Sequence, residues 1–186
     1  MIQSERIETK RLILRPFRKT DAVDVQRLAG EFEVADTTLN IPHPYPMKAA
    51  VEWIQSHPGK LKNKSEIIFA ITLESDESLI GSIGLILDLK HNQAEMGYWI
   101  GKPYWNSGYA TEAAKAMLDF AFYQLELKKV HAHYMSRNPA SGRVMQKIGM
   151  KHERTLRKHV KKWDKMEDIE IFTIRAFEFV HKANSS

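Results

Sequence analysis

Hydrophobic residues change their spacing along the chain, and each change of spacing marks an element. Residues 67–73 and 79–87 are apolar runs rich in β-branched side chains, separated by the polar turn at 74–78. A third apolar run covers 94–100. These runs predict three successive strands of a meander. Further strands are predicted from shorter or alternating patterns at residues 11–15, 129–135, 154–160 and 169–177.

Helical spacing is clearest between Gly108 and Leu125, where apolar residues recur every three or four positions. A helix capped by Thr20 and ending near Gly30 is also expected. Two more helices are predicted at residues 48–57 and 140–148, whereas three prolines exclude regular structure from residues 40–46. Helices interspersed with strands in this order predict an α/β (α+β) domain.

Composition narrows the class of protein. The chain has 186 residues, 43% hydrophobic and 27% charged, which suits one globular domain rather than a disordered chain. A net charge of +5 favours anionic ligands or acidic surfaces. Cysteine is absent, so disulfides, thiolate nucleophiles and cysteine-bound zinc are excluded. No signal-like N-terminus or membrane-length apolar run is present, and we expect a cytoplasmic protein without membrane contact.

The segment YWNSGYATEA places an Asn-Ser-Gly turn directly before the predicted helix at Gly108. The first N–H groups of a helix have no partner within it, and its N-terminus carries partial positive charge. Together these features favour an anion such as phosphate, which can approach closely where Cβ is missing. An ordinary strand-to-helix turn fits the same residues. The dinucleotide fingerprint and the P-loop pattern are both absent.

Four segments resemble conserved blocks of the GNAT acetyltransferases, and within them the Rim-type branch that acetylates ribosomal-protein N-termini. The longest, AEMGYWIGKPYWNSGYATEA, is similar to the acetyl-CoA motif. The others are ETKRLILRPFRKTDA, RNPASGRVMQKIGM and MEDIEIFTI. The resemblance implies one GNAT-like domain over residues 1–186, with a mixed, mostly antiparallel central sheet flanked by helices. It also implies acetyl-CoA as cosubstrate, no metal, and direct attack by an amine in a ternary complex.

The resemblance assigns coenzyme A to the turn and to the start of the 140–148 helix. It implies cofactor contacts from Trp99, Ile100, Trp105, Asn106, Ser107, Gly108, Tyr109, Ala110, Thr111, Asn138 and Ser141. Backbone N–H groups near Trp99 and Ile100 are the implied oxyanion donors. Asn106 and Ser107 depart from the branch, which usually has glycine and then a basic or amide residue. Asparagine tolerates positive φ, so we expect the turn to form.

Glu95 is the candidate base, because the resemblance places its strand beside the thioester. A solvent-facing strand carboxylate is the alternative. The acid that protonates the departing thiolate is a tyrosine in many GNAT enzymes, but that position here is Met145. Ser141, one turn earlier, is the candidate acid, and a helix-cap serine is the alternative. Asn138 is either a pantetheine ligand or a plain N-cap.

Several polar groups have two interpretations. His131 and His133 share one face of a predicted strand, yet no third ligand suggests a metal. Arg143 and Lys147 suit either phosphate or solvent. HPYP (residues 43–46) resembles a loop near the acceptor site and equally a rigid surface turn. A basic run suits either ribosome docking or a solvated face, and comprises Arg154, Arg157, Lys158, His159, Lys161, Lys162 and Lys165.

The acceptor is predicted to be an N-terminal α-amine. Its pKa of about 8, against about 10.4 for lysine, leaves more neutral amine at pH 7. The resemblance implies a ribosomal protein as acceptor. Polyamines, aminoglycosides and amino acids are alternatives on the same fold, and a non-catalytic acyl-CoA-binding module is a further one. We expect a monomer or a homodimer.

Overall fold

A computed structural model of the chain describes residues 6–183. Eight strands form one sheet: β1 (Ile7–Glu8), β2 (Leu12–Arg15), β3 (Glu66–Leu73), β4 (Leu79–Asp88), β5 (Gln93–Ile100), β6 (Lys129–Met135), β7 (Lys151–Lys162) and β8 (Lys165–Arg175). Six α-helices are described: α1 (Ala22–Ala29), α2 (Phe32–Thr37), α3 (Met47–Lys62), α4 (Tyr109–Asp119), α5 (Pro139–Lys147) and α6 (Ala176–Ala183). None is both long and apolar enough to cross a membrane.

The sheet runs in the order β1-β2-β3-β4-β5-β6-β8-β7. Neighbouring strands are antiparallel except for β5 and β6, which are parallel. The parallel pair needs a crossover, and α4 supplies it. The predicted mixed, mostly antiparallel α/β architecture is confirmed.

Helices cover both faces of this sheet. On one face, α1 and α3 bury a small cluster that includes Val25, Ile54 and Ala70. On the other, α4 and α5 pack over the main core, which includes Met117, Leu118 and Met145 among its buried side chains. The sheet is therefore a buried layer between helices, and the exposed hairpin β7–β8 forms one of its two edges.

The three predicted meander strands agree with β3, β4 and β5 to within one residue at each end, and the strand predicted at residues 129–135 agrees with β6. The predicted helix from Gly108 also has the right extent. Its last turn, from Phe120 to Gln124, widens into a π-helix in which Leu125 N–H donates to Phe120 O at 3.1 Å. Such single-turn widening is common in otherwise regular helices.

Several predicted boundaries are wrong. The strands of the last hairpin are longer than predicted: β7 begins at Lys151 rather than residue 154, and β8 begins at Lys165 rather than residue 169, because the two pair along this whole length. Thr20 does not cap α1, because a 3₁₀ turn precedes the helix and the Asp21 carboxylate accepts from Arg18 N–H instead. The helix predicted to close at Pro58 continues to Lys62, because Leu61 packs against the main core. The last strand ends at Arg175 rather than residue 177, because α6 begins at Ala176. The Glu178 carboxylate in the first turn of α6 accepts from Arg175 N–H.

Candidate functional site

The site is built where β5 and β6 separate. The two strands pair only from Gln93 to Glu95 and from Lys129 to His131. Beyond these residues β5 stays with β4, and β6 stays with β8. The resulting V-shaped gap opens into a cavity of about 630 Å³, lined by both strands and by the first turns of α4 and α5.

The turn before α4 has the backbone conformation that the anion-site prediction needs. Gly108 is the N-cap residue in the left-handed region, with φ of 82° and ψ of 1°. Asn106 also has positive φ, at 60°, which confirms that this turn forms without a second glycine. The first N–H groups of α4 therefore face the cavity, and no side chain caps them among the described residues.

Arg11 anchors this turn, a role that the sequence did not suggest. Its guanidinium lies 2.7 Å from Glu112 in the first turn of α4 and donates to Ser107 O at 3.0 Å. It also stacks on Tyr109, 4.6 Å from the ring centroid. The sequence held one indication of this contact: Glu112 lies in the first turn of the helix, where an acidic side chain is favoured.

The predicted cofactor residues of the turn do not all reach the cavity. The lining includes Trp105, Asn106, Gly108, Tyr109, Ala110 and Thr111. Ser107 lies outside the lining, and its hydroxyl donates weakly to Trp105 O at 3.4 Å. A phosphate contact from the Ser107 side chain stays a prediction.

The end of β5 turns every second main-chain N–H group toward the gap. Gly101 N–H donates to Ile80 O at 2.8 Å, across to β4. Main-chain groups alternate in direction along an antiparallel pair, so Trp99 N–H also faces β4, and Ile100 N–H faces the gap. Ile100 O faces the same way, because it accepts from Trp105 Nε1 at 2.6 Å. The geometry thus favours Ile100 over Trp99 as an oxyanion donor.

On α5, Ser141 meets a tyrosine of the neighbouring strand. Asn138 caps the helix by accepting from Ser141 N–H at 3.4 Å, and both residues line the cavity. Ser141 Oγ lies 2.8 Å from Tyr98 Oη, in a contact that either group can donate. Burial raises the pKa of Tyr98 to about 12, so this hydroxyl stays protonated. Met145 is buried and carries no exchangeable proton.

Glu95 lies between two histidines on the face of the sheet opposite α4. Its carboxylate oxygens are 3.3 Å from His131 Nε2 and 3.2 Å from His133 Nδ1. The polar contacts from His131 and then His133 lower the pKa of Glu95 to about 2, although burial opposes this shift. The shared face of the two histidines is confirmed, and the carboxylate beside them is one that the sequence did not reveal.

The half of the cavity on this same face is the one predicted to receive the acceptor, and it is called the acceptor half below. Its walls are mostly aromatic, aliphatic or neutral polar, and include Thr37, Thr38, Asn40, Ile41, Tyr45, Trp53 and Ile68. Its two carboxylates are Glu66 and Glu95. Glu66 is already paired with Lys60 on α3 at 2.5 Å. Asn40, Ile41 and Tyr45 place the proline-rich loop at this wall.

Comparison with known proteins agrees with the geometry. The family model described as "Acetyltransferase (GNAT) domain" matches residues 11–151. The chain belongs to the GNAT acetyltransferase family. It is 30% identical to "Probable N-acetyltransferase YjcK" of Bacillus subtilis, over 90% of this chain and 96% of that protein. It is therefore an acyl-CoA-dependent N-acetyltransferase, with acetyl-CoA as its cosubstrate.

Two solved GNAT structures share the fold at low identity. One is RimL, titled a ribosomal α-N-protein acetyltransferase in complex with coenzyme A, with a TM-score of 0.85 at 12% identity; the match covers 92% of this chain and 98% of that chain. The other is a chimera of spermidine N-acetyltransferase SpeG from Vibrio cholerae and hSSAT. Its TM-score is 0.78 at 21% identity, with coverage of 91% and 98%.

The remaining charged residues divide between this GNAT cavity and the surface. Arg143 and Lys147 of α5 line the cavity. The basic run of the hairpin is largely engaged: Arg157 pairs with Asp168 at 2.6 Å, and buried Lys162 donates to Ile41 O at 2.9 Å. Within residues 6–183, no group of three His, Cys, Asp or Glu side chains is arranged to hold a metal ion.

Proposed function

We propose that this enzyme acetylates the N-terminal α-amine of a protein, most readily of a ribosomal protein in the cytoplasm. The observation that carries the proposal is the charge of the acceptor half of the cavity. Of its two carboxylates, Glu66 has a lysine partner and Glu95 contacts only imidazoles. Glu95 is thus the one carboxylate of this half of the cavity without a lysine partner, and a single carboxylate suits an acceptor with a single amino group.

The neutral walls support a peptide rather than a polyamine. A polyamine carries several cationic centres, each of which is best bound by an anionic group. This half of the cavity offers one carboxylate without a lysine partner, that of Glu95. Thr37, Thr38 and Asn40 instead offer hydroxyl and amide groups, which match the main-chain donors and acceptors of an extended N-terminus. The likeness to RimL supports the same acceptor class, and the likeness to the SpeG chimera keeps spermidine as the second candidate.

The proposed reaction uses the two halves of the cavity separately. The helix start at Gly108 holds the pyrophosphate, and Asn138 bonds the pantetheine arm. Ile100 N–H receives the oxyanion of the tetrahedral intermediate. Glu95 and the histidines in contact with it lie beside the attacking amine and promote loss of its proton, and Ser141 protonates the departing thiolate.

A thiol-release assay with acetyl-CoA tests the acceptor class. The panel contains a peptide with a free N-terminus and no lysine, the same peptide with a blocked N-terminus and one lysine, and spermidine. We expect kcat/KM for the free N-terminus to exceed both others by at least about tenfold at pH 7.5, since roughly 10² separates the neutral fractions of the two amine types. Preference for spermidine would contradict the proposal.

A further inference from the structure

The contact of Glu95 with His133 divides the work of proton removal between two residues. We propose that His133 is the group that accepts the amine's proton, and that Glu95 orients His133 and stabilises its imidazolium form. This inference rests on the proposed acetyl transfer to an amine. A carboxylate behind a histidine that faces the substrate is the arrangement expected of a positioned general base.

The direction of the His133 ring supports this role. Its Nδ1 is 3.2 Å from Glu95 Oε1, an ion-pair distance. A carboxylate can only accept, so this contact favours the tautomer of neutral His133 that has its proton on Nδ1 and its lone pair on Nε2. The Nε2 atom has no hydrogen-bond partner among the described residues. Since His133 lines the cavity, Nε2 is available to a bound amine.

His131 lacks one of these features. It contacts the other carboxylate oxygen through Nε2 at 3.3 Å, but it is not part of the cavity lining. It lies opposite Glu95 in the last residue pair of β5 and β6, whereas His133 lies two residues further on, where the strands have separated. His131 therefore helps to hold Glu95 without meeting the acceptor, which makes it the matched control.

Glu95 is poorly suited to keep the proton. Its pKa of about 2 means that a protonated carboxyl is a rare species near neutrality. A general base works best when its pKa lies near the working pH, and a carboxylate with so low a pKa is far from it. Geometry and basicity thus favour the same residue.

Other charges on this face are occupied by their own counter-ions. Residues paired across neighbouring strands form a row through Glu95, from Glu66 on β3 to Lys151 on β7. Further charged residues lie on the same strands beside this row. Charged side chains in or beside this row have partners of their own: Glu66 pairs with Lys60, Lys129 with Glu153, Lys151 with Glu178, and Arg154 with Glu153. The Glu95 carboxylate is left to the two imidazoles.

The step balances as an ordinary aminolysis. The neutral amine attacks the thioester carbon, and a C–N bond forms while the carbonyl oxygen becomes an oxyanion. The ammonium nitrogen gives its proton to His133 Nε2. The C–S bond then breaks, and the thiolate takes the proton of the Ser141 hydroxyl. Water reprotonates Ser141, and His133 returns the proton of the amine to water, so the enzyme ends in its starting state.

The test is the pH profile of kcat/KM on a peptide with a free N-terminus, from pH 5 to 9. Wild type needs a neutral imidazole and a neutral amine, so log kcat/KM should rise at acid pH with a limiting slope approaching 2. His133→Gln should fall about 100-fold or more at pH 7.5, with a slope of 1. His131→Gln should stay within about tenfold of wild type and keep the steeper slope. Glu95→Gln should lose turnover but also keep the steeper slope, because His133 remains.

Two further measurements keep a folding defect from being mistaken for a chemical one. Each variant should bind acetyl-CoA within about threefold of wild type, and added imidazole should restore part of the rate of His133→Ala. If His133→Gln keeps wild-type rate and slope, or if imidazole rescues nothing, the inference is overturned while the proposed function stands. If wild type turns over no amine at all, the proposed function itself has failed.

Discussion

Replacing Gly108 with alanine separates the two roles of the turn before α4, backbone conformation and phosphate approach. Gly108 has φ of 82°, which costs a residue with Cβ about 1–2 kcal/mol. The new Cβ would lie 3.5 Å from Arg11 Nη2, an ordinary contact, so no clash adds to this cost. The free energy of unfolding should therefore fall by about 1–2 kcal/mol.

The same methyl group would stand at the predicted pyrophosphate site. Acetyl-CoA affinity should fall at least about tenfold, or about 1.4 kcal/mol. Gly97→Ala is the matched control: Gly97 lines the same cavity, its added Cβ would meet no atom within 4 Å, and its φ is not positive. We expect that variant to stay within about 0.5 kcal/mol in stability and about threefold in affinity.

Urea unfolding gives the stabilities, and isothermal titration calorimetry at 25 °C gives the affinities. Unchanged acetyl-CoA affinity in folded Gly108→Ala would move the phosphates away from this turn. A loss of affinity that Gly97→Ala shares would mean a general disturbance of the cavity. Either result would refute the assignment.

Two other substitutions test the leaving-group side and the packing of α3. Ser141→Ala should lower kcat about 10- to 100-fold while the acetyl-CoA Kd changes less than threefold; equal losses in stopped-flow binding and in turnover would make Ser141 a binding residue only. His57 packs between Phe17 and Trp53, and neither ring nitrogen has a partner among residues 6–183. Burial, followed by the charge of Lys60, lowers the pKa of His57 from 6.5 to about 4. Between pH 6.5 and 4, His57 is protonated in the unfolded chain but stays neutral in the folded one. The free energy of unfolding should therefore fall by about 1–3 kcal/mol over this range, after discounting for partial exposure. Urea titrations at pH 7 and 4.5 should show a smaller loss of stability in His57→Phe than in wild type. Equal losses in the two proteins would contradict this prediction.

The main elements of the fold were predictable because their patterns are local. The apolar runs of β3, β4 and β5 and the spacing in α4 are repeated over many residues. The errors occur where tertiary contacts override local signals. Pro58 does not end α3, since Leu61 gains burial if the helix continues. α2 escaped prediction because six residues with an exposed Phe32 give almost no periodicity.

The turn at the predicted cofactor site could be predicted from the sequence, whereas the contacts around Glu95, Ser141 and Arg11 could not. A turn such as the one at Gly108 is encoded in consecutive residues, so sequence and structure agree there. The contacts of Glu95 with His133, of Ser141 with Tyr98, and of Arg11 with Ser107 join residues that are at least 38 positions apart. Such contacts depend on strand register and on where β5 and β6 separate, which a single sequence does not specify.

The most direct test of the central claim is where the acetyl group goes. The enzyme is incubated with acetyl-CoA and one peptide that carries both a free N-terminal α-amine and an internal lysine, and tandem mass spectrometry locates the added acetyl group. We predict acetylation of the α-amine, exceeding that of the lysine by at least about tenfold at pH 7.5, since neutral α-amine is roughly 10² more abundant. Acetylation confined to the lysine, or no peptide acetylation while spermidine is consumed, would contradict the account.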